Sequence, residues 1–298
     1  MDNILITGGT GLVGSELVQH YLKSDSELYI LTRSDLKTSE SRVHYINWSK
    51  DNWEEHIPRI NIVINLAGAN LNQRWTAEHK AAIMNSRVES TQRLYDCFVK
   101  QGYGPEVLFN ASAVGYYPPS KIVSYDEYDQ FVAHDFLSTV VARWEQTARL
   151  FENIGTRVVV GRFGVVLSNK GGALPTMAKP YQYFVGGSLG SGEQWMSWIH
   201  IADLIKGITT LINHQDSEGV YNMCSPSPIR QKYLGKAIGN VMHRPHWLPA
   251  PAIVLQILLG EQSTIILDVQ KVNPKRLREQ HFEFEFPEIE SAMRDLLT

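Results

Sequence analysis

Cysteine is scarce in this sequence: Cys97 and Cys224 are the two in 298 residues, far apart and outside any Cys-x-x-Cys pair. That excludes a disulfide framework and a cysteine-rich metal site, and it predicts a reducing, cytoplasmic compartment. The ten histidines show no His-x-x-x-His or carboxylate spacing suited to a metal. Long apolar runs are missing too, since roughly 20 residues are needed to cross a bilayer. The one stretch that raises the question, Ile253–Leu259, is closed by Gly260-Glu261-Gln262 and reads as a buried helix. Ahead of Ile4-Leu5-Ile6 there is no basic region and no cleavage site, so no secretory leader is expected. Neither charge sign dominates: Lys+Arg 28 against Asp+Glu 31 gives a net charge of -3. That argues against nucleic-acid binding and leaves room for a local basic pocket. No membrane partner is expected, and the oligomeric state is not legible.

The length suits one large α/β unit or a core with an appendage. Short β-like runs alternate with helical stretches through the first half. The predicted strands are Ile4–Thr7, Glu27–Thr32, Val43–Asn47, 61–66, Val107–Ser112 and Arg157–Arg162. Several are continuously apolar, as in parallel strands buried on both faces. The clearest helix runs from about Thr76 to Lys100, with Met84, Val88, Thr91, Tyr95 and Phe98 on one stripe. This alternation predicts an α/β fold, a doubly wound parallel-sheet Rossmann architecture. After Gly164 the rhythm loosens. Gly171-Gly172 and 186–192 read as loops around a groove, followed by a helix over 200–213 and a strand over Gly219–Met223. Proline-punctuated helical pieces from Ser225 predict a division into a cofactor-binding core, 1–224, with groove-lining loops at about 165–200, and a small, mainly helical C-terminal substrate cap, 225–298.

Thr7-Gly8-Gly9-Thr10-Gly11-Leu12-Val13-Gly14 joins the first strand to the first helix. Gly8 permits the tight turn, Gly11 lets backbone approach a pyrophosphate, and Gly14 allows close packing of helix on strand. The helix N-terminus then offers free N–H groups to phosphates. At the end of the second strand, Leu31-Thr32-Arg33-Ser34 places an arginine where NAD binding uses an acid. A guanidinium there meets a 2′-phosphate, so NADP(H) is the predicted cofactor, with Asp35 the competing feature.

The Gly-x-x-Gly-x-x-Gly spacing, Asn65-Leu66-Ala67-Gly68 and Ser112 together resemble the extended, nucleotide-sugar epimerase branch of the short-chain dehydrogenase/reductase superfamily. Further strings point to an atypical subgroup. They include Arg74-Trp75, Ser86-Arg87, Ser112-Ala113-Val114-Gly115-Tyr116-Tyr117, Ala142-Arg143-Trp144-Glu145, Arg162-Phe163-Gly164 and Trp198-Ile199-His200-Ile201. These resemble the epimerase-like family related to the bacterial YfcH protein, whose members share a C-terminal domain of unassigned function. The resemblance implies NADP(H) binding, with Arg33 on the 2′-phosphate, Leu66-Ala67 against the middle of the cofactor, Gly68 beside them, and Arg87 reaching in from the long helix.

The superfamily's acid/base is a Tyr-x-x-x-Lys pair on one helical face. The sequence has one such spacing, Tyr117 to Lys121, but Pro118-Pro119 forbids a helix through it. By the resemblance, the pair's positions fall at Leu137 and Val141, neither able to carry a proton. Candidate replacements are Ser112, Tyr116 and Tyr117, with Glu145, His134 and Asp135 near in sequence. Each has an ordinary structural role open to it: a strand-end cap for Ser112, aromatic packing for the tyrosines, a helix-surface salt bridge for Glu145. His200 reads as a cap or packing residue. Trp195 and Trp198 read as pocket lining or packing. The functional expectation is an atypical NADP(H)-binding reductase or epimerase-like protein acting on a small molecule, with a non-catalytic NADP(H) sensor or scaffold as the alternative.

Overall fold

A computed structural model describes residues 2–267 and 270–298. Seven strands form the central sheet: β1 Asn3–Thr7, β2 Glu27–Thr32, β3 Val43–Asn47, β4 Ile62–Asn65, β5 Val107–Ala113, β6 Arg157–Phe163 and β7 Gly219–Met223. Each matches a predicted strand to within one residue at either end. Their order is β7-β6-β5-β4-β1-β2-β3, with every neighbouring pair parallel. Ile4, Leu5, Ile6, Val63 and Ile64 have no exposed surface, as the continuous apolar runs require. The order reverses between β1 and β4, which opens a crevice at their carboxyl ends.

Helices α1 Leu12–Tyr21 and α5 Ile201–Asn213 cover one face. Helices α2 Ala77–Gln101 and α3 Phe136–Ala148 cover the other. Thr76 caps α2 by accepting from the His79 N–H, and left-handed Gly102 ends it. The buried face of α2 runs through Ile83, Thr91, Leu94, Cys97 and Phe98, rotated slightly from the predicted stripe because α3 packs along its side.

After β6 the chain adds a small layer. Val165–Ser168 pairs in parallel with Trp198–His200, and Gly171–Gly172 folds back on it as a short strand instead of a loop. Helices α4 Ala173–Gln182, α6 Gln231–Met242 and α10 Ile289–Leu297 share a core built on Tyr181, Leu234, Ile238 and Met293. Between α6 and α10 lie α7 Ala252–Leu259, α8 Thr264–Leu267 and α9 Lys275–Glu279. The C-terminal part also enters the main core. Leu277 is fully buried there, with Phe282 and Phe284 packed against it. Asp203, in the first turn of α5, accepts from the N–H groups of Glu285 (2.7 Å) and Phe286 (2.9 Å).

The buried-helix reading of 253–259 is overturned. No residue of α7 is buried; Ile257 is 77% and Leu258 71% exposed. The helix meets the body through Ala252, beside Gly190, and through the Gly260–Ser263 turn, so most of its circumference has nothing to pack on. No helix among the described residues is long and apolar enough to cross a membrane.

Candidate functional site

A cavity of about 420 Å³ lies at the carboxyl ends of β1, β4 and β5. Its floor is the β1–α1 turn. Gly8 is left-handed (φ +67°), and a Cβ on it would stand 2.8 Å from the Leu66 carbonyl oxygen. A Cβ on Gly14 would stand 2.2 Å from the Gly8 oxygen. Neither position tolerates a side chain, and the first turn of α1 is seated against the strand as a result. Gly11, Leu12 and Val13 line the cavity there, beside helical N–H groups that have no partner within the helix.

A buried polar network underlies this floor. The Thr7 hydroxyl donates to Asn65 Oδ1 (2.6 Å) and accepts from the N–H groups of Leu66 and Ala67 (3.1 Å each). Asn65 Nδ2 donates to Asn110 Oδ1 (2.6 Å) and to Thr91 Oγ1 (2.7 Å). Trp144 Nε1 also donates to Thr91 Oγ1 (3.1 Å). One asparagine thus ties β1, β4, β5 and α2 together. Leu66 and Gly68 line the cavity wall above it.

Arg87 reaches this wall from α2. Its guanidinium donates to the carbonyls of Ile83 (3.0 Å) and Ala69 (3.3 Å) and lies 5.3 Å from the Trp144 ring. It lines the cavity, and among the described residues no carboxylate pairs with it. Burial pushes its pKa down to about 10. A partly desolvated cation without a counter-ion, lining the same cavity as the α1 N-terminus, suits an anion.

Ser112 also lines the cavity, at the end of β5. Its hydroxyl donates to Glu145 Oε1 (2.6 Å). Glu145 is no surface salt bridge. It is 5% exposed, and Arg162 grips both of its oxygens at 2.8 Å. Arg162 also donates to the Tyr117 hydroxyl (3.0 Å), whose single proton has Asn222 Oδ1 and the Asp126 carbonyl as acceptors within reach (3.0 Å each). Ser112 and Arg162 are register partners on β5 and β6. The sequence reading missed Arg162 because no local spacing joins it to Ser112 or Glu145.

The two tyrosines stand away from the cavity. Tyr117 is fully buried, and burial raises its pKa well beyond the ordinary phenol range, against the nearby Arg162 charge. The Tyr116 hydroxyl is closed on the Phe131 backbone, and its ring lies 3.4 Å from the Arg162 guanidinium. Both pack around Arg162, and neither hydroxyl is free to meet a ligand. Leu137 and Val141, by contrast, line the cavity, as do Val140 and Trp144. This wall of the cavity is therefore apolar. Asp135 reaches the cavity edge while capping α3, its carboxylate accepting from the Ser138 N–H (2.7 Å); the His134 ring lies 3.8 Å from that carboxylate.

Other sequence candidates fall elsewhere. Arg33 is exposed at the end of β2 and outside the cavity. Asp35 turns away to Lys50 (2.8 Å) and Asn47 (3.3 Å). His200 caps α5 by accepting from the Ala202 N–H (3.1 Å), and burial lowers its pKa. Trp198 is core, whereas Trp195 lies between Arg230 and Lys271. No cluster of metal-ligating side chains occurs among the described residues.

Residues 4–224 match the NAD dependent epimerase/dehydratase family, and residues 250–296 match a domain of unknown function, DUF1731. The chain is 50% identical over 299 residues to epimerase family protein SAB0724c of Staphylococcus aureus (strain bovine RF122 / ET3-1), covering 100% of both. It is similar to the crystal structure of human epimerase family protein SDR39U1 (isoform 2) with NADPH: 32% identity, 99% of this chain and 98% of that one, TM-score 0.90. A nucleoside-diphosphate sugar epimerase from Corynebacterium glutamicum aligns at 26% identity and TM-score 0.80, over 99% of this chain and 58% of the other. On its sheet order, its glycine turn and these matches, the chain belongs to the NAD dependent epimerase/dehydratase family.

Proposed function

We propose that the protein binds NADPH in the switch-point cavity and acts as an oxidoreductase on an apolar small molecule with one polar handle. The observation that carries this is the half-buried Arg87 guanidinium, which lines the same cavity as the glycine turn with no carboxylate partner among the described residues. Gly8, Gly11 and Gly14 with the α1 N-terminus would hold the pyrophosphate, with Leu66, Ala67 and Gly68 alongside and Arg87 supplying charge. Preference for the 2′-phosphate rests on Arg33, exposed at the β2 tip while Asp35 is engaged by Lys50. The NADPH in the human relative supports the same reading. When bound, NADPH supplies a hydride.

The chain's own groups do the rest. Leu137, Val141 and Ile265 exclude water from the wall beside Ser112. Glu145 accepts the hydrogen bond of the Ser112 hydroxyl (2.6 Å), so the serine oxygen keeps lone pairs for a substrate hydroxyl. Rotation of the same hydroxyl lets it donate to a carbonyl instead. Among the described residues, Arg87 and Asp135 are the charged groups lining the cavity, and with Arg87 on the cofactor and Asp135 engaged in capping α3 the remaining surface suits an uncharged substrate. The test is a panel of apolar ketones, aldehydes and alcohols, assayed for change in nicotinamide absorbance. Turnover that falls about a hundredfold in Ser112→Ala supports the assignment. NADPH binding with no turnover across the panel would favour a non-catalytic NADPH-binding protein, the reading to which Leu137 and Val141 lend weight.

A further inference from the structure

Large apolar side chains are exposed on α7 and on the loops that hold its start. From α7 come Ile253, Ile257 and Leu258, exposed by 67%, 77% and 71%. Trp247 (64%), Tyr183 (67%) and Phe184 (54%) are exposed on the segments from which α7 springs. These are not loose tails. Trp247 Nε1 donates to the Phe184 carbonyl (2.8 Å), and the N–H groups of Trp247 and Leu248 donate to Gly186. The Ala250 N–H donates to Ser188, and the Gly190 N–H donates back to Ala250 (2.8 Å each), which fixes the start of α7 to the same loop. A protruding apolar face of this extent marks an interaction surface.

Its charge says what it meets. Residues 219–260 contain no Asp or Glu, but they carry Arg230, Lys232, Lys236 and Arg244. Residues 153–192 likewise contain no acid. Arg244 lies 4.5 Å from the Phe184 ring, Lys179 is one helical turn before Tyr183, and Lys236 is on the exposed side of α6 near Tyr233. Among the described residues none of Lys179, Lys236 and Arg244 pairs with a carboxylate, whereas Glu193 and Glu261, which bound these stretches, are held by Lys232 and Lys80.

We propose that this face docks onto an anionic phospholipid bilayer, with α7 lying in the interface. Aliphatic side chains on a helix, with Trp and Tyr on the adjoining loops and unpaired cations near them, are the composition that an interfacial segment presents. A second copy would set the same cationic rim against itself across a two-fold axis. The eight residues of α7 are too few to span, so the helix lies on the membrane.

The test is co-sedimentation of the full chain with vesicles of phosphatidylcholine alone or mixed with phosphatidylglycerol. The protein should pellet with the mixed vesicles, stay in solution with phosphatidylcholine, and be released by salt. Ile257→Asp with Leu258→Asp, both at exposed positions, should abolish pelleting while the thermal transition is kept. Lys179→Glu with Lys236→Glu should weaken it about tenfold or more. No pelleting with mixed vesicles, or equal pelleting with both kinds, overturns the proposal. A dimer in solution that Ile257→Asp dissolves would place a second copy on the face and overturn it too.

Discussion

Arg87 is the residue on which the cofactor reading turns, and its burial makes an unusual forecast. Its pKa is lower in the folded protein, about 10, than in an open chain. The folded state therefore holds this cation at a cost throughout the neutral range, and stability from this group rises as pH climbs through about 10. Arg87→Met should leave the melting temperature unchanged or raised at neutral pH. NADPH affinity should nevertheless fall about tenfold to a hundredfold, the loss of one charge-assisted contact. A melting curve and a fluorescence titration on the same variant check both halves. A lower melting temperature with intact affinity would make Arg87 a structural residue only.

Among the elements, the sharpest dependence is the convergence of β1, β4, β5 and α2 on Asn65. Asn65→Leu strands the Thr7 hydroxyl proton and the Asn110 amide oxygen in the buried core. We expect a loss on the order of 3 kcal/mol, read as a lower urea midpoint, because unmatched buried polar groups cost more than the bonds themselves contribute. An unmoved midpoint would show that the network carries no net stability. The strands around it are legible in sequence because a sheet buried on both faces needs unbroken apolar runs, and Ile4-Leu5-Ile6 or Ile62-Val63-Ile64 can do little else. The glycine turn is legible for a similar reason, since Gly8 and Gly14 meet backbone atoms. The Ser112–Glu145–Arg162 cluster is not, because parallel register and a helix crossing bring together residues 17 to 50 positions apart. Nor does α7 reveal its exposure, since an apolar octet reads alike on a surface and in a core.

At the scale of the whole molecule, the chain does not divide cleanly near residue 225. Leu277 fills the core of the sheet, and Asp203 clasps the backbone of Glu285 and Phe286 from the far side. Asp203→Ala should cost about 3 kcal/mol and speed hydrogen exchange in the C-terminal residues before the sheet is affected. Uniform exchange through the chain would mean that the clasp is incidental. The C-terminal part is thus wall and core at once, and the cavity it helps enclose is where the cofactor account stands or falls. Calorimetric titration of the wild-type protein with NADPH and with NADH tests that account most directly. The predicted result is one NADPH per chain, with NADH bound at least about tenfold more weakly for want of the phosphate that Arg33 would meet. Binding of neither nucleotide, or tighter binding of NADH, would contradict it.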